Sequence, residues 1–191
     1  MTVEAAAAGV IKHFEGQWFC PKKAMWDVNA YRPGYGSDTI ELPNGQHRKV
    51  TKDDCTTEEY ALKDLTRRVK NEFLPKVAGQ IGEPYWSALP IGAKAALVSI
   101  GYNYGSITKP AIITAARTGD VTKIADAILA ATIGDNGGIN DHRRQMEAEI
   151  VRSSKTGLSS KSTVPLIISI SVGVVAATII GVYLYNRYKK K

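Results

Sequence analysis

Apolar residues recur at helical spacing from Val3 to Phe14, with Thr2 placed to cap the segment and Gly16 to end it. Residues 17–53 lose that period and read as an irregular and β segment. Within it, residues 39–43 and 46–50 flank Asn44-Gly45, a strong short-range hairpin signal. Thr56-Thr57-Glu58-Glu59 then makes a capping box before a helix with Leu65, Val69 and Phe73 on one face. Pro75 is expected to end that helix. From Trp86 onward the pattern is helical throughout, over residues 93–102, 111–118, 121–131 and 140–151, with glycines between and Asp120 as a cap. The expected fold class is α+β: a small lobe built on a β-hairpin, joined by a long helix to a helical lobe, with a cleft between them. No segment repeats.

The period then disappears into continuous hydrophobicity. Residues 164–185 carry no charge, and as a helix these 22 residues would span about 33 Å, enough for a hydrocarbon core of about 30 Å. Tyr183, Tyr185 and Tyr188 stand at one end beside Arg187 and three lysines, as interfacial anchors do. The predicted organisation is a globular domain at 1–152, a polar linker at 153–163, a transmembrane helix at 164–186 and a basic tail at 187–191. The linker's 11 residues would span about 17–20 Å as a flexible coil, so the domain is expected to stay near a lipid bilayer. Ser169, Gly173, Ala177 and Gly181 line one face of the span, a small-residue pattern through which copies or other membrane proteins could associate. The cations flanking the span favour a cytoplasmic C-terminus only slightly, and residues 1–10 lack the cationic start of a signal peptide.

Charge sharpens this division. The net charge is +7, yet residues 1–151 hold all 18 acids and 18 of the 25 basic residues, so the domain is neutral. A nucleic-acid binder should carry its basic patch on the folded surface, and no nucleic-acid partner is expected. Cys20 and Cys55 bracket the β segment. They read either as two buried thiols or as a bridge closing a loop of roughly 35 residues, and their spacing matches no metal site. His13 and His142 lack metal-ligand companions, and no cofactor is expected.

The candidate chemistry begins at Glu15, which closes the first helix. A carboxylate at a helix C-terminus faces the negative end of the macrodipole, and Phe14 and Trp18 beside it would withhold water. Both influences suit a general acid for glycoside cleavage. A glycine-rich segment, Tyr31-Arg-Pro-Gly-Tyr-Gly-Ser-Asp-Thr39, follows at once. The second carboxylate is expected at Asp27, with Asp38 and Thr39 as rivals on the hairpin, and Asp27 could instead open the strand as an Asx-turn. Arg32 could touch a substrate carbonyl or carboxylate, or pair with Asp27. Trp18, Trp26 and Trp86 are each either sugar-stacking or core residues. Arg143 and Arg144 are expected to form structural ion pairs around Glu147.

The order of helix-ending Glu, glycine hairpin and helical lobe resembles the phage-type lysozymes, glycoside hydrolase family 24, over about residues 1–152. His13-Phe-Glu15-Gly16, Gly34-Tyr-Gly36-Ser37, Tyr102-Asn-Tyr-Gly105 and Gly138-Ile-Asn-Asp-His-Arg-Arg144-Gln-Met-Glu147 carry the resemblance. The chain departs from the family where Ala24 stands at the usual Asp, Arg32 in the usual Thr region and Ser37 at the usual His. An insertion before Asp27 would restore the register. The resemblance implies a muramidase that cleaves the β-1,4 bond between N-acetylmuramic acid and N-acetylglucosamine in peptidoglycan glycan strands. Glu15 would be the acid, Asp27 the second carboxylate, and Arg32, Tyr35, Ser37, Thr39 and Asn103 would bind substrate; Asn103 could equally tie helices together. It also implies a phage-encoded enzyme that sits in a virion membrane or in a host inner membrane with its domain on the wall side. Two other readings stand beside it, a lytic transglycosylase using Glu15 alone and a non-catalytic structural protein of a viral membrane. A pore-forming role would use the tail but leave the domain unexplained.

Overall fold

A computed structural model describes residues 1–154 apart from residues 17, 28, 42 and 43. The predicted membrane span at 164–186, its small-residue face and the basic tail lie outside the described residues, as does the linker beyond Ser154. Among the described residues, no helix is long and apolar enough to cross a membrane.

The fold is mixed α+β. Helix α1 (Val3–Phe14) starts where the Thr2 hydroxyl accepts a hydrogen bond from the Ala5 N–H at 3.3 Å. Its buried stripe of Ala7, Ala8 and Ile11 lies against the core, and full burial of Ile11 alone contributes about 1.5–3 kcal/mol. Two small antiparallel ribbons follow. Strands β1 (Met25–Asp27) and β2 (Ala30–Arg32) pair Trp26 with Tyr31, and β3 (Thr39–Glu41) and β4 (His47–Lys49) pair Ile40 with Arg48. The second ribbon is the one signalled by Asn44-Gly45; the first arises within the segment read only as irregular and β.

Helix α2 (Glu58–Arg68) is capped by the Thr57 hydroxyl, which accepts from the Tyr60 N–H at 3.3 Å. The expectation that Pro75 would end this helix is corrected. The backbone widens into one π turn (Val69–Phe73) and continues as α3 (Leu74–Ile81), with Pro75 in the first turn. There its missing N–H costs little, because the widened turn has already interrupted the usual ladder. A short α4 (Tyr85–Ala88) leads to α5 (Ile91–Tyr104), the centre of the domain. Ala93 and Ala95 to Gly101 are all buried, so α5 is apolar almost all round and covered on every side. Helix α8 (Asp141–Ser153) packs on α5, α7 (Val121–Thr132) on α8, and α6 (Pro110–Ala116) on α7, with Ile112, Ile124, Ile128, Ala148 and Val151 in the common core. Helix α8 runs one residue into the predicted linker, and Ser154 caps it.

Candidate functional site

Glu15 follows α1 with an extended backbone (ψ 144°), and its N–H still bonds the Ile11 carbonyl at 3.0 Å. The chain then doubles back. Gly34 N–H donates to the Trp18 carbonyl at 2.8 Å, so the segment after Glu15 is pinned to the glycine turn. The Cys20 N–H bonds the Thr56 carbonyl at 2.9 Å, and a Cys20–Cys55 disulfide locks the same loop to the approach to α2. The sequence left these cysteines free or bridged; the structure joins them.

This tethering brings two glycines against two different partners. Gly34 has φ +60°, and a Cβ there would lie 2.7 Å from the Ala61 Cβ on α2. Gly36 has φ +83°, and a Cβ there would meet Glu15 Oε2 at 3.4 Å and the Tyr102 hydroxyl at 3.9 Å. Glycine is therefore favoured by conformation at both positions, and at Gly34 by close approach as well. The carbonyl of Gly36 accepts from Arg32 Nη1 at 3.1 Å and, more weakly, from Arg68 Nη1 at 3.5 Å. Arg68 also donates to the Tyr102 hydroxyl at 2.9 Å, which in turn donates to the Tyr35 carbonyl. Burial pushes the Tyr102 phenol well above its ordinary range, against the opposing pull of Arg68.

Glu15 is half-buried, with 21% of its side chain exposed. Its closest polar partner is an arginine rather than the expected aromatic wall. Arg143 Nη1 on α8 donates to Glu15 Oε1 at 2.9 Å. Phe14 packs on that guanidinium, 5.2 Å from its ring centroid, and the Trp18 indole N–H turns to the Lys23 carbonyl. Arg143 is itself held from two more sides. Its Nε donates to Glu147 Oε1 at 3.2 Å, and its Nη2 donates to the Ser99 carbonyl and hydroxyl, both at 3.1 Å.

The other expected residues fall in several places. Asp27, 57% exposed, lies 3.2 Å from Arg32 Nε across the first ribbon, an ion pair whose alignment is too poor for a hydrogen bond. Ser37 is buried and donates to the Thr39 carbonyl at 2.9 Å, so these two residues shape the turn. Tyr35 is a core residue at 2% exposure, its hydroxyl 3.4 Å from Glu58. Asn103 accepts from Arg144 Nη2 at 2.7 Å and ties α5 to α8. Asp38 pairs with Lys49 at 3.2 Å; burial raises its carboxyl, but Lys49, Arg32 and Arg68 together hold it below the usual range. Of the tryptophans, Trp86 is in the core, while Trp26 is exposed and packs edge-to-face on Tyr31 at 5.1 Å.

No family model and no curated protein matches this chain. The site must be read from its own geometry. A cavity of about 340 Å³ lies between β3 and α2, lined by Tyr35, Ser37, Thr39, Asp64 and Tyr102 among others. Neither Glu15 nor Asp27 lines it. Ala61, Asp64 and Leu65 of α2 form one side of the cavity, and Tyr35, Ser37 and Tyr102 line it from the glycine turn and α5. Among the described residues, no group of histidine, cysteine or carboxylate side chains could hold a metal ion.

Sequence reasoning missed Arg68 and Tyr102, and it gave Arg143 only a structural role. The spacing of Arg143 and Glu147 announced a pair on one helix face. That Arg143 also reaches a carboxylate 128 positions away had no local signal.

Proposed function

We propose that this chain is a membrane-anchored peptidoglycan muramidase with a two-lobed, lysozyme-like domain. The observation that carries this reading is Glu15: a half-buried carboxyl at a helix end, fixed by Arg143 on one oxygen and with the Gly36 turn beside the other. A partly desolvated carboxyl held in one geometry supports proton transfer to a glycosidic oxygen. In the reaction, Glu15 gives its proton to the oxygen between N-acetylmuramic acid and N-acetylglucosamine, and the C1–O bond breaks. Asp27 removes a proton from water as the water oxygen bonds to C1, leaving a reducing muramic end. Arg32 holds Asp27 on its ribbon and would face the substrate beside it.

A second reading keeps Glu15 and drops Asp27, and the engagement of Asp27 with Arg32 favours it. The sugar's own 6-hydroxyl then attacks C1, its proton passes to Glu15, and a 1,6-anhydro end results without water. The span at 164–186 supports placement at a virion membrane or a bacterial inner membrane, with glycan strands and lipid as partners. A phage source and association through Ser169, Gly173, Ala177 and Gly181 belong to the same reading.

The test uses the full chain in detergent, with Glu15→Gln and Asp27→Asn, on peptidoglycan of several wall types followed by mass spectrometry. Reducing ends identify hydrolysis and anhydro ends transglycosylation. Glu15→Gln is expected to lose at least about 100-fold in rate. A wild type that releases nothing from any wall, or a variant that matches it, would sink the proposal and leave the structural role in a viral membrane.

A further inference from the structure

The cavity between β3 and α2 has no part in the chemistry given to Glu15, yet it is built as ligand sites are. Its volume of about 340 Å³ is at the small end of the range of about 300–1,000 Å³ for small-molecule sites, room for one ring and not for a chain. We infer that it binds a single uncharged sugar ring, and that of the two sugars of a glycan strand it takes N-acetylglucosamine. The choice of that sugar rests on the muramidase reading; the preference for a neutral ring rests on the cavity alone.

The lining supplies both halves of sugar recognition. Ile40, Leu65 and the Cys20–Cys55 disulfide give it apolar surface, and the exposed Tyr60 offers an aromatic face to the C–H side of a pyranose. Sugar hydroxyls also need polar partners. Both hydrogen bonds from Arg67 to Asp64 fall on Oδ1, at 2.8 and 3.1 Å, which leaves Oδ2 to accept from a ligand hydroxyl. The Thr39 hydroxyl, 3.5 Å from that of Ser37, can either give or take a hydrogen bond.

Charge then selects among sugars. Lys63 lies 3.4 Å from Glu41, and Asp64 lies 2.8 Å from Arg67, so the charged residues described in the lining are already paired. A charged ligand would have to break one of these pairs or give up its water without compensation. N-acetylmuramic acid brings a lactyl carboxylate or, in the wall, a stem peptide with bulk beyond one ring. N-acetylglucosamine brings neither. Tyr102 lines the cavity and also donates to the Tyr35 carbonyl in the glycine turn, so a bound ring and the turn share one side chain.

Full-length wild type, Tyr60→Ala and Asp64→Asn are titrated in one detergent with N-acetylglucosamine, N-acetylmuramic acid and glucosamine in its ammonium form, with binding read by saturation-transfer NMR. N-acetylglucosamine is expected to bind at least about tenfold tighter than either charged sugar. Tyr60→Ala should weaken it by about threefold to tenfold, and Asp64→Asn by about tenfold. Tyr60 is exposed, so its truncation keeps the fold and stays informative even if Asp64→Asn does not fold. Equal binding of the three sugars, no saturable binding of N-acetylglucosamine, or binding that Tyr60→Ala leaves unchanged would overturn the inference and leave the reading of Glu15 standing. Selective binding by a chain inactive on every wall would keep the site and overturn the muramidase reading.

Discussion

At the scale of single residues, the domain concentrates its electrostatic risk between α5 and α8. Arg144 and Glu147 are both fully buried, and removing either partner leaves a charge with no water to solvate it. Arg144→Met is therefore expected to cost about 3–5 kcal/mol in urea unfolding followed by circular dichroism; a cost below about 1 kcal/mol would mean that the pair is solvated. The Tyr102 hydroxyl is a second such point, taking Arg68 and giving to Tyr35 at the back of the glycine turn. Tyr102→Phe should cost about 1–3 kcal/mol by leaving buried polar groups unpaired. The helical spacing of Arg143, Arg144 and Glu147 made their mutual pairing legible. Their reach to Glu15, Ser99 and Asn103 was not legible, because side-chain contacts between distant elements leave no periodic trace.

At the scale of elements, the glycine turn is the feature on which the site depends. Gly36→Ala would place a methyl 3.4 Å from Glu15 Oε2 on a backbone at φ +83°. About 1–3 kcal/mol of strain is expected, with a larger proportional loss of wall-degrading activity than of stability, read by paired melting and turbidity assays. The β3–β4 ribbon carries its own pH dependence. Arg48 Nη1 and Nη2 hold both oxygens of Asp54, at 2.7 and 2.6 Å, and this bidentate pairing, with Thr51 in support, keeps the carboxyl far below its ordinary range. A carboxyl lowered by folding adds stability above its unfolded pKa of about 4, and that stability fades as pH falls further toward the folded value. Asp54→Asn should flatten this part of the acid unfolding curve, measured by denaturant midpoints from pH 5 to pH 2. The capping residues Thr2, Thr57 and Asp120 were readable from local chemistry. The π turn that carries the chain past Pro75 was not, since proline next to a helical pattern reads locally as a stop.

At the scale of the whole molecule, the disulfide closes the loop that holds both ribbons. Replacing Cys20 and Cys55 together by serine is expected to cost about 3–4 kcal/mol in chain-entropy terms. Reductant should lower the melting temperature of the wild type and leave that variant unchanged. The full chain is expected to resist alkaline extraction from membranes, and release into the soluble fraction would contradict the proposed anchor. By itself the sequence determined the α+β class, the first helix, the Asn-Gly hairpin and the helix caps, because each is written in period, turn residues and short-range hydrogen bonding. It also placed Glu15 at a helix end. Only the tertiary structure decided what surrounds that carboxyl, an arginine shared with a buried glutamate and a glycine turn beside its second oxygen, and that Asp27 pairs with Arg32. Those facts depend on contacts between residues far apart in the chain, whose partners are chosen by packing and by the need to pair every buried charge.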